Sequence, residues 1–526
     1  MKKNKIAYLL IFLFSATLLC AQKDKNFKKA LKEANTLFAM DDFRNALNKY
    51  LPLWHKDSLN EKINLNIAIC KYKLKEFPDS ILPYLVRVDK SRELEAQLYE
   101  AKVFHLEHKF DEAVLHYNKY KKFPEVQREL KDGEVDKLIE SSKLASQMMS
   151  LPRKASIKNL GNVINTKYPE YVPLITPDES VLYFTSRRPG STGGLTDAWG
   201  NYFEDIYIST NKKGAWTEPK NLGAPVNTAT HDACVALSAD AQQMIIFRTS
   251  EDQLSGDLYL THATIDHWGE PEKLGPEINS EYKDLSACFN LENSMIYFSS
   301  DRPGGLGGKD LYRVKRLPNG NWSKPFNLGA PVNTAGDEDA PFLHLDGTLY
   351  YSSNGGNTMG GYDIFKTTLD ENNNFALPEN LGFPVNTVGD DIFFVLSADG
   401  KHGYYSSLNE NPAEPGYESE DIYFIDMRYG ENDIKVRKAR TLSINEDKEA
   451  PVSAKITVLD SETNRVAGIY NTGSGSGRFI FIVNPYDSYK IITEAKGYET
   501  VITHLKALVD EAEDELPELK IVLKKL

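Results

Sequence analysis

Residues 328–334 read Leu-Gly-Ala-Pro-Val-Asn-Thr, and four further copies of this phrase stand at almost even intervals in the chain. The phrase opens at Leu160, Leu222, Leu274, Leu328 and Leu381, so the intervals are 62, 52, 54 and 53 residues. Repetition at about 50 residues, with several short strands per unit, is typical of a β-propeller. The phrase therefore predicts one four-stranded sheet per copy.

A second phrase, Asp-(Ile/Leu)-(Tyr/Phe), keeps step with the first at Asp205, Asp257, Asp310, Asp363 and Asp421. The fifth copy lacks a last strand, whereas Ala155–Gly161 is such a strand without the rest of its sheet. We expect Ala155–Gly161 to complete the fifth blade, because this closes the ring and hides the sheet edges. Five blades over residues 151–432 are favoured, and six stay open if residues 428–440 contribute.

The beginning of the chain indicates export. Lys2, Lys3 and Lys5 precede an apolar run over residues 6–19, which is the pattern of a secretory signal peptide over residues 1–21. Cleavage after Ala21 is favoured over a lipid anchor at Cys20, because Leu19 is not the small residue that lipoprotein processing prefers. We expect the mature chain in the periplasm, associated with the outer membrane. Its net charge of −13, with no basic tract, argues against nucleic acid as a partner.

Residues 22–150 have helical periodicity and a second repeat. Small and aromatic residues recur 33 or 34 positions apart, as at Ala34, Ala68 and Ala101, at Phe43, Phe77 and Phe110, and at Tyr50, Tyr84 and Tyr117. This spacing resembles the tetratricopeptide pattern, which implies stacked helix pairs with a groove for a protein partner. The alternative is that the array only packs against the propeller.

The central segment resembles the WD40-like repeats of TolB-type propellers. Residues 297–312 read Tyr-Phe-Ser-Ser-Asp-Arg-Pro-Gly-Gly-Leu-Gly-Gly-Lys-Asp-Leu-Tyr, close to the consensus of that family. The resemblance implies a protein-binding module of the bacterial envelope.

Residues 440–526 change to alternating strands without the blade phrase, and they resemble the carboxypeptidase regulatory-like β-sandwich. The order of the three modules resembles OmpA-like envelope proteins of the type IX secretion and gliding machinery. Those proteins continue into a peptidoglycan-binding domain. The sequence given stops at Leu526, so we do not expect peptidoglycan binding from these residues.

An acid follows the phrase asparagine by five residues in every copy, at Glu170, Asp232, Asp284, Glu338 and Asp391. Five carboxylates at one channel mouth would attract a cation or a basic peptide. The alternative is that each acid caps an adjacent turn or pairs with an arginine such as Arg187, Arg248 or Arg302. A second candidate site is an insertion in the first copy with Trp199, Tyr202 and Phe203, which either pack into the neighbouring domain or meet a partner.

No catalytic pattern accompanies the repeats. Residues 473–477 place Gly475 where a nucleophile elbow needs serine, and residue 310 after Gly308-Lys309 is aspartate where a phosphate loop needs serine or threonine. We therefore expect a non-enzymatic scaffold without cofactor or metal, part of or accessory to an envelope secretion or motility complex, which binds envelope proteins. The alternative is a glycan-binding envelope protein that uses the loop aromatics or the β-sandwich.

Overall fold

The computed structural model describes residues 25–123, 133–197, 201–212, 214–251, 255–264, 267–370, 374–408, 420–427, 435–445, 448–464, 466–472, 477–483, 488–506 and 518–526. The predicted signal peptide, Cys20 and Trp199 lie outside these residues. The chain divides into two compact units, Met1–Ser146 and Gln147–Leu526. No helix in the described part is long and apolar enough to cross a membrane.

Seven helices are described, all at the N-terminal end of the chain: α1 (25–39), α2 (Phe43–Trp54), α3 (Glu61–Lys73), α4 (Pro78–Leu85), α5 (Leu94–Leu106), α6 (Phe110–Lys121) and α7 (Glu134–Ser150). Local chemistry sets their ends. The Asp42 and Asn60 side chains accept the N–H groups of Asn45 and Ile63, both at 3.2 Å, at the starts of α2 and α3. Pro78 opens α4, where its missing N–H costs nothing.

The predicted fold class needs correction at this point. The described chain is mostly β-sheet, and its helices are not shown to form a tetratricopeptide array. Such an array needs successive antiparallel helices of similar length. Here α4 has only eight residues, with Pro83 inside it, between α3 and α5 of thirteen residues each. Ala34, Ala68 and Ala101 are fully buried, but any close helix packing requires that.

Five antiparallel sheets follow, each with its first strand innermost. Blade 1 has β2 (Glu170–Ile175), β3 (Val181–Ser186), β4 (Asp205–Lys212), β5 (Ala215–Trp216) and β6 (Lys220–Asn221), after the leading strand β1 (Ser156–Asn159). Blade 2 has β7 (Asp232–Leu237), β8 (Gln243–Thr249), β9 (Gly256–His262) and β10 (Glu272–Lys273). Blade 3 has β11 (Asp284–Phe289), β12 (Met295–Ser300), β13 (Asp310–Lys315) and β14 (Phe326–Asn327). Blade 4 has β15 (Glu338–Leu343), β16 (Leu349–Ser353), β17 (Asp363–Thr367) and β18 (Glu379–Asn380), and blade 5 has β19 (Ile392–Leu396), β20 (His402–Leu408) and β21 (Glu420–Asp426).

The leading strand β1 completes blade 5. It pairs antiparallel with β21, with Ser156 opposite Asp426 and Asn159 opposite Tyr423. The innermost strands β2, β7, β11, β15 and β19 contact one another in that order, and β19 contacts β2. The predicted closure by Ala155–Gly161 is therefore confirmed, and the five blades form a closed ring.

The C-terminal part contains two four-stranded sheets. One contains β22 (Lys435–Asn445), β23 (Lys448–Pro451), β26 (Arg478–Val483) and β29 (Leu519–Val522), and the other contains β24 (Lys455–Asp460), β25 (Val466–Asn471), β27 (Tyr489–Glu494) and β28 (Val501–Leu505). Ile456 and Ile491 from one sheet and Phe481 from the other are fully buried in a shared core. Because β22 begins at Lys435 and pairs with β26, residues 435–440 belong to this part and not to a sixth blade.

Candidate functional site

Each phrase asparagine joins a blade sheet to the turn that follows its outermost strand. In blade 3 the Asn333 side chain accepts the N–H of Leu311 at 2.8 Å and donates to its carbonyl at 3.0 Å. Asn227, Asn279 and Asn386 make the same pair of bonds to Ile206, Leu258 and Ile364. In the first copy Asn165 bonds in this way to Ile422 of blade 5. The phrase is therefore a structural clamp, and its first copy joins the two ends of the ring.

The five acids that follow the phrase lie at the N-terminal ends of the inner strands, and all are buried. Each carboxylate accepts the backbone N–H and the hydroxyl of the phrase threonine or serine, as in Asp232, whose Oδ2 lies 2.6 and 2.7 Å from N and Oγ1 of Thr228. The same bonds form at Glu170, Asp284, Glu338 and Asp391. We call these five residues the cap acids. A ligand at the cap acids would have to displace those bonds.

Arginines accompany three of the cap acids. Arg188 lies 3.1 Å from Glu170, Arg248 2.6 Å from Asp232 and Arg302 2.8 Å from Asp284. Arg187, which the sequence offered as a partner, bonds instead to Asp197 at 2.8 Å.

The seam between blades 4 and 5 holds Asp391, a cap acid that forms no ion pair with an arginine of the described residues. Burial and the neighbouring charge of Asp363 raise the pKa of Asp391 to about 8. Burial likewise raises the pKa of Asp363 to about 7. The carboxyl groups of Asp391 and Asp363 therefore stay protonated up to near neutral pH.

The insertion aromatics divide between packing and exposure. Phe203 is buried, with its ring centroid 4.2 Å from that of His231, which belongs to the turn before β7. Tyr202 is half-buried and meets Tyr168 edge to face at 6.1 Å. Trp199 lies outside the described residues. Phe203 thus packs within the propeller, against blade 2.

A cavity of about 250 Å³ lies on the ring axis, with walls from the inner strands of all five blades. Its lining is apolar at almost every position and includes Leu174, Leu237, Phe342 and Phe393. Leu285 in this wall keeps 40% of its surface exposed, so solvent reaches the channel. None of the described lining residues carries a carboxylate, lysine or arginine. We call this space the channel cavity.

Bulges shape the wall of the channel cavity. The pairing register of each inner strand shifts once, within the first three residues after its cap acid. Val172, Ala340 and Phe393 take left-handed φ values of 51°, 48° and 60° there. Hydroxyls of the preceding blade satisfy two of the turned N–H groups, since Val172 N donates to Ser406 Oγ at 3.1 Å and Ala340 N to Ser286 Oγ at 3.0 Å. The bulges therefore fix the wall and also bind adjacent blades.

A second ring of acids, which our reading of the sequence missed, surrounds the other end of the inner strands. These residues are Asp178, Asp240, Glu292, Asp346 and Asp399, each eight positions after a cap acid. Each directly follows a residue of the cavity wall, namely Pro177, Ala239, Leu291, Leu345 and Ala398. We call them the rim acids. The constant spacing of eight residues was the signal that could have found them.

Four of the five rim acids use one carboxylate oxygen to hold their own hairpin turns. Oδ1 of Asp178, Asp240 and Asp399 accepts the backbone N–H two residues later, each at 3.1 Å. Asp346 Oδ1 accepts the N–H of Thr348 at 2.8 Å and lies 3.0 Å from His344 Nδ1. Burial opposes ionisation of Asp346, but the bond and charge of His344 outweigh it and lower the pKa to about 2. Asp346 therefore keeps its charge at neutral pH.

Blades 1 and 5 meet at a further polar contact beside this rim. Glu179 follows rim acid Asp178, and its carboxylate lies 2.8 Å from His402 Nδ1. Tyr404 Oη donates to the same carboxylate at 2.8 Å. The hydrogen bond to Glu179 raises the pKa of His402.

No protein-family model matches the chain, and no curated protein is similar to it. Solved structures with a similar fold include a protein described as TolB from Agrobacterium tumefaciens, at 16% identity over 51% of this chain and 96% of that one, with a TM-score of 0.28. An α-L-arabinofuranosidase from Lactobacillus brevis is 13% identical over 54% and 93%, with a TM-score of 0.32. A levansucrase from B. megaterium is 11% identical over 61% and 91%, with a TM-score of 0.34. Similarities this weak carry no argument about activity, and the propeller assignment rests on the five sheets themselves.

Proposed function

We propose that this chain is a non-enzymatic scaffold of the bacterial envelope whose propeller holds a segment of a partner protein in its channel. The observation that carries the proposal is the channel cavity, an apolar space with the part-exposed Leu285 in its wall. Solvent-exposed apolar surface of this kind is costly to maintain and commonly marks a binding site.

The chemistry of the channel favours binding over catalysis. Hydrolysis of a glycosidic bond, for example, uses two carboxyl groups that flank the bond. The described wall residues offer no carboxylate, and their one histidine, His344, is buried with Nε2 3.1 Å from the carbonyl of Ser397. The cap acids are engaged in turns. Export through the predicted signal peptide supports a place in the envelope.

Site-specific photo-crosslinking tests the proposal. Benzoylphenylalanine replaces Leu285 in the channel or, as the control, Leu377, which is 85% exposed on the outer side of blade 4. After irradiation of cells that make each variant, we expect a crosslinked partner polypeptide from position 285 and a different or absent product from position 377. A folded position-285 variant that gives no protein adduct would overturn the proposal.

A further inference from the structure

The end of the channel that the rim acids surround combines two features that point to one kind of ligand. The cavity wall supplies apolar surface, and the rim supplies one carboxylate from each blade directly beside that wall. We infer that this end of the channel binds a peptide segment in which an apolar side chain is followed by lysine or arginine. This inference rests on the proposed function and names the class of partner.

The size of the cavity limits what can enter it. Pockets for drug-sized ligands are about 300–1,000 Å³, whereas this cavity holds about 250 Å³. It therefore suits one or two apolar side chains of a protein segment, while the rest of the segment lies across the rim.

The charge at the rim selects the flanking residues. Asp178, Asp240 and Asp346 each have one carboxylate oxygen in the turn, and no lysine or arginine among the described residues forms an ion pair with them. Lys401 lies 3.9 Å from Asp399, and the imidazoles of His344 and His402 face Asp346 and Glu179. Negative charge predominates, and a basic segment complements it.

Blade 3 differs from the others at this end. Leu291, which precedes rim acid Glu292, packs against the core of the C-terminal sheets. Glu292 itself stays exposed, and among the described residues it accepts only the hydroxyl of Ser294 at 3.4 Å, not a backbone N–H of its turn. The rim acids that hold their turns in the same way are Asp178, Asp240, Asp346 and Asp399, and these four residues are the ones to change.

The test uses fluorescence anisotropy with the chain over residues 22–526 and three fluorescein-labelled peptides. The first has a leucine-rich half followed by a lysine-rich half, the second replaces lysine with glutamate, and the third replaces leucine with serine. We expect the first to bind at least about tenfold more tightly than either of the others, with affinity that falls as salt screens the charges.

The rim variant is D178N/D240N/D346N/D399N, in which each asparagine oxygen still accepts the turn N–H. Its matched control, E218Q/E270Q/E272Q/E281Q, removes four exposed carboxylates away from the rim. We expect the rim variant to lose about tenfold in affinity for the lysine peptide and the control to stay within about twofold. Thermal unfolding of both variants verifies that they are folded.

The inference is overturned if the glutamate peptide binds equally well, if no peptide binds, or if both variants lose the same affinity. The crosslinking experiment separates the two claims. A protein adduct at position 285 that still forms in the rim variant would contradict the inferred preference for lysine or arginine and would leave the proposed function standing. If the chain with intact rim acids gave neither an adduct at position 285 nor peptide binding, both claims would be rejected.

Discussion

Asn165, near the start of the propeller, clamps Ile422, near its end, through two buried hydrogen bonds. Ile422 N donates to Asn165 Oδ1 at 3.0 Å, and Asn165 Nδ2 donates to Ile422 O at 2.9 Å. The other phrase asparagines clamp a residue that is close to them in sequence, whereas Asn165 and Ile422 are 257 residues apart. Ring closure therefore depends on side-chain bonds as well as on the pairing of β1 with β21.

The first prediction concerns this clamp. N165A leaves the buried N–H of Ile422 without its partner, whereas the carbonyl of Ile422 keeps the bond that Leu160 N donates at 3.1 Å. We therefore expect a loss of about 1–3 kcal/mol in unfolding free energy. Urea unfolding measures it. N162A, at an exposed position three residues away, is the control and should change stability by less than about 0.5 kcal/mol. Equal effects of the two substitutions would show that the clamp does not stabilise the ring.

The second prediction concerns pH at the contact between blades 1 and 5. The pKa of His402 is raised in the folded chain, chiefly by its bond to Glu179, with Asp399 and Asp426 also favouring the charged ring. The stabilisation is therefore complete below the unfolded pKa of about 6.5 and is lost as pH rises through the higher folded pKa. H402Q should flatten stability across this window, and the exposed His504 in H504Q should not. If the melting temperatures of wild type and H402Q depended on pH in the same way, the stabilising role of the His402–Glu179 contact would be contradicted.

The third prediction concerns the seam between blades 4 and 5. Because the pKa of Asp391 is raised to about 8, the folded chain binds a proton that the unfolded chain releases. Stability should fall between about pH 4 and pH 8, by at most about 1.4 kcal/mol per pH unit for one proton. D391N should remove this slope and be more stable than wild type at pH 8.

A contrasting substitution checks that account. Asp232 occupies the same position in blade 2 but pairs with Arg248 at 2.6 Å. D232N leaves that guanidinium without its counter-charge, so we expect it to be destabilised by about 3 kcal/mol at pH 8. If D391N and D232N changed stability in the same direction at pH 8, the proposed difference between Asp391 and the arginine-paired Asp232 would be refuted.

The fourth prediction separates the two insertion aromatics. Phe203 is 4% exposed and packs on His231, so F203A should cost about 3 kcal/mol. Tyr202 is half-buried, and Y202A should cost about 1 kcal/mol or less. Thermal unfolding compares them. A small loss for F203A would indicate that its ring serves a partner and not the fold.

The sequence predicted the propeller well because its signal was repeated. Five copies of the phrase fixed the period, and the incomplete fifth copy pointed to Ala155–Gly161 as the missing strand. The helical part was predicted less well. Ala34, Ala68 and Ala101 report close packing, but their spacing does not set helix length, and α4 ends after eight residues at Leu85.

The candidate site was harder to predict than the fold. The cap acids and the rim acids recur equally regularly, and the sequence does not reveal which carboxylates are turned inward. Thr228 shows the reason, since its N–H and hydroxyl both reach Asp232 only once the turn has formed. The channel cavity also depends on bulges and on side chains from five separated strands, which only the assembled ring brings together.

Ring closure by β1 is the claim on which the channel depends, and an engineered disulfide tests it most directly. Ser156 and Asp426 are opposite each other in the β1–β21 pair. Antiparallel partners have Cα atoms about 4.5–5.5 Å apart, within the range that a disulfide spans. We predict that S156C/D426C forms an intramolecular disulfide on mild oxidation, seen by mass spectrometry of peptides, and unfolds at a higher temperature than its reduced form. Free thiols at both positions in the folded, oxidised chain, or only intermolecular disulfides, would contradict the closed ring.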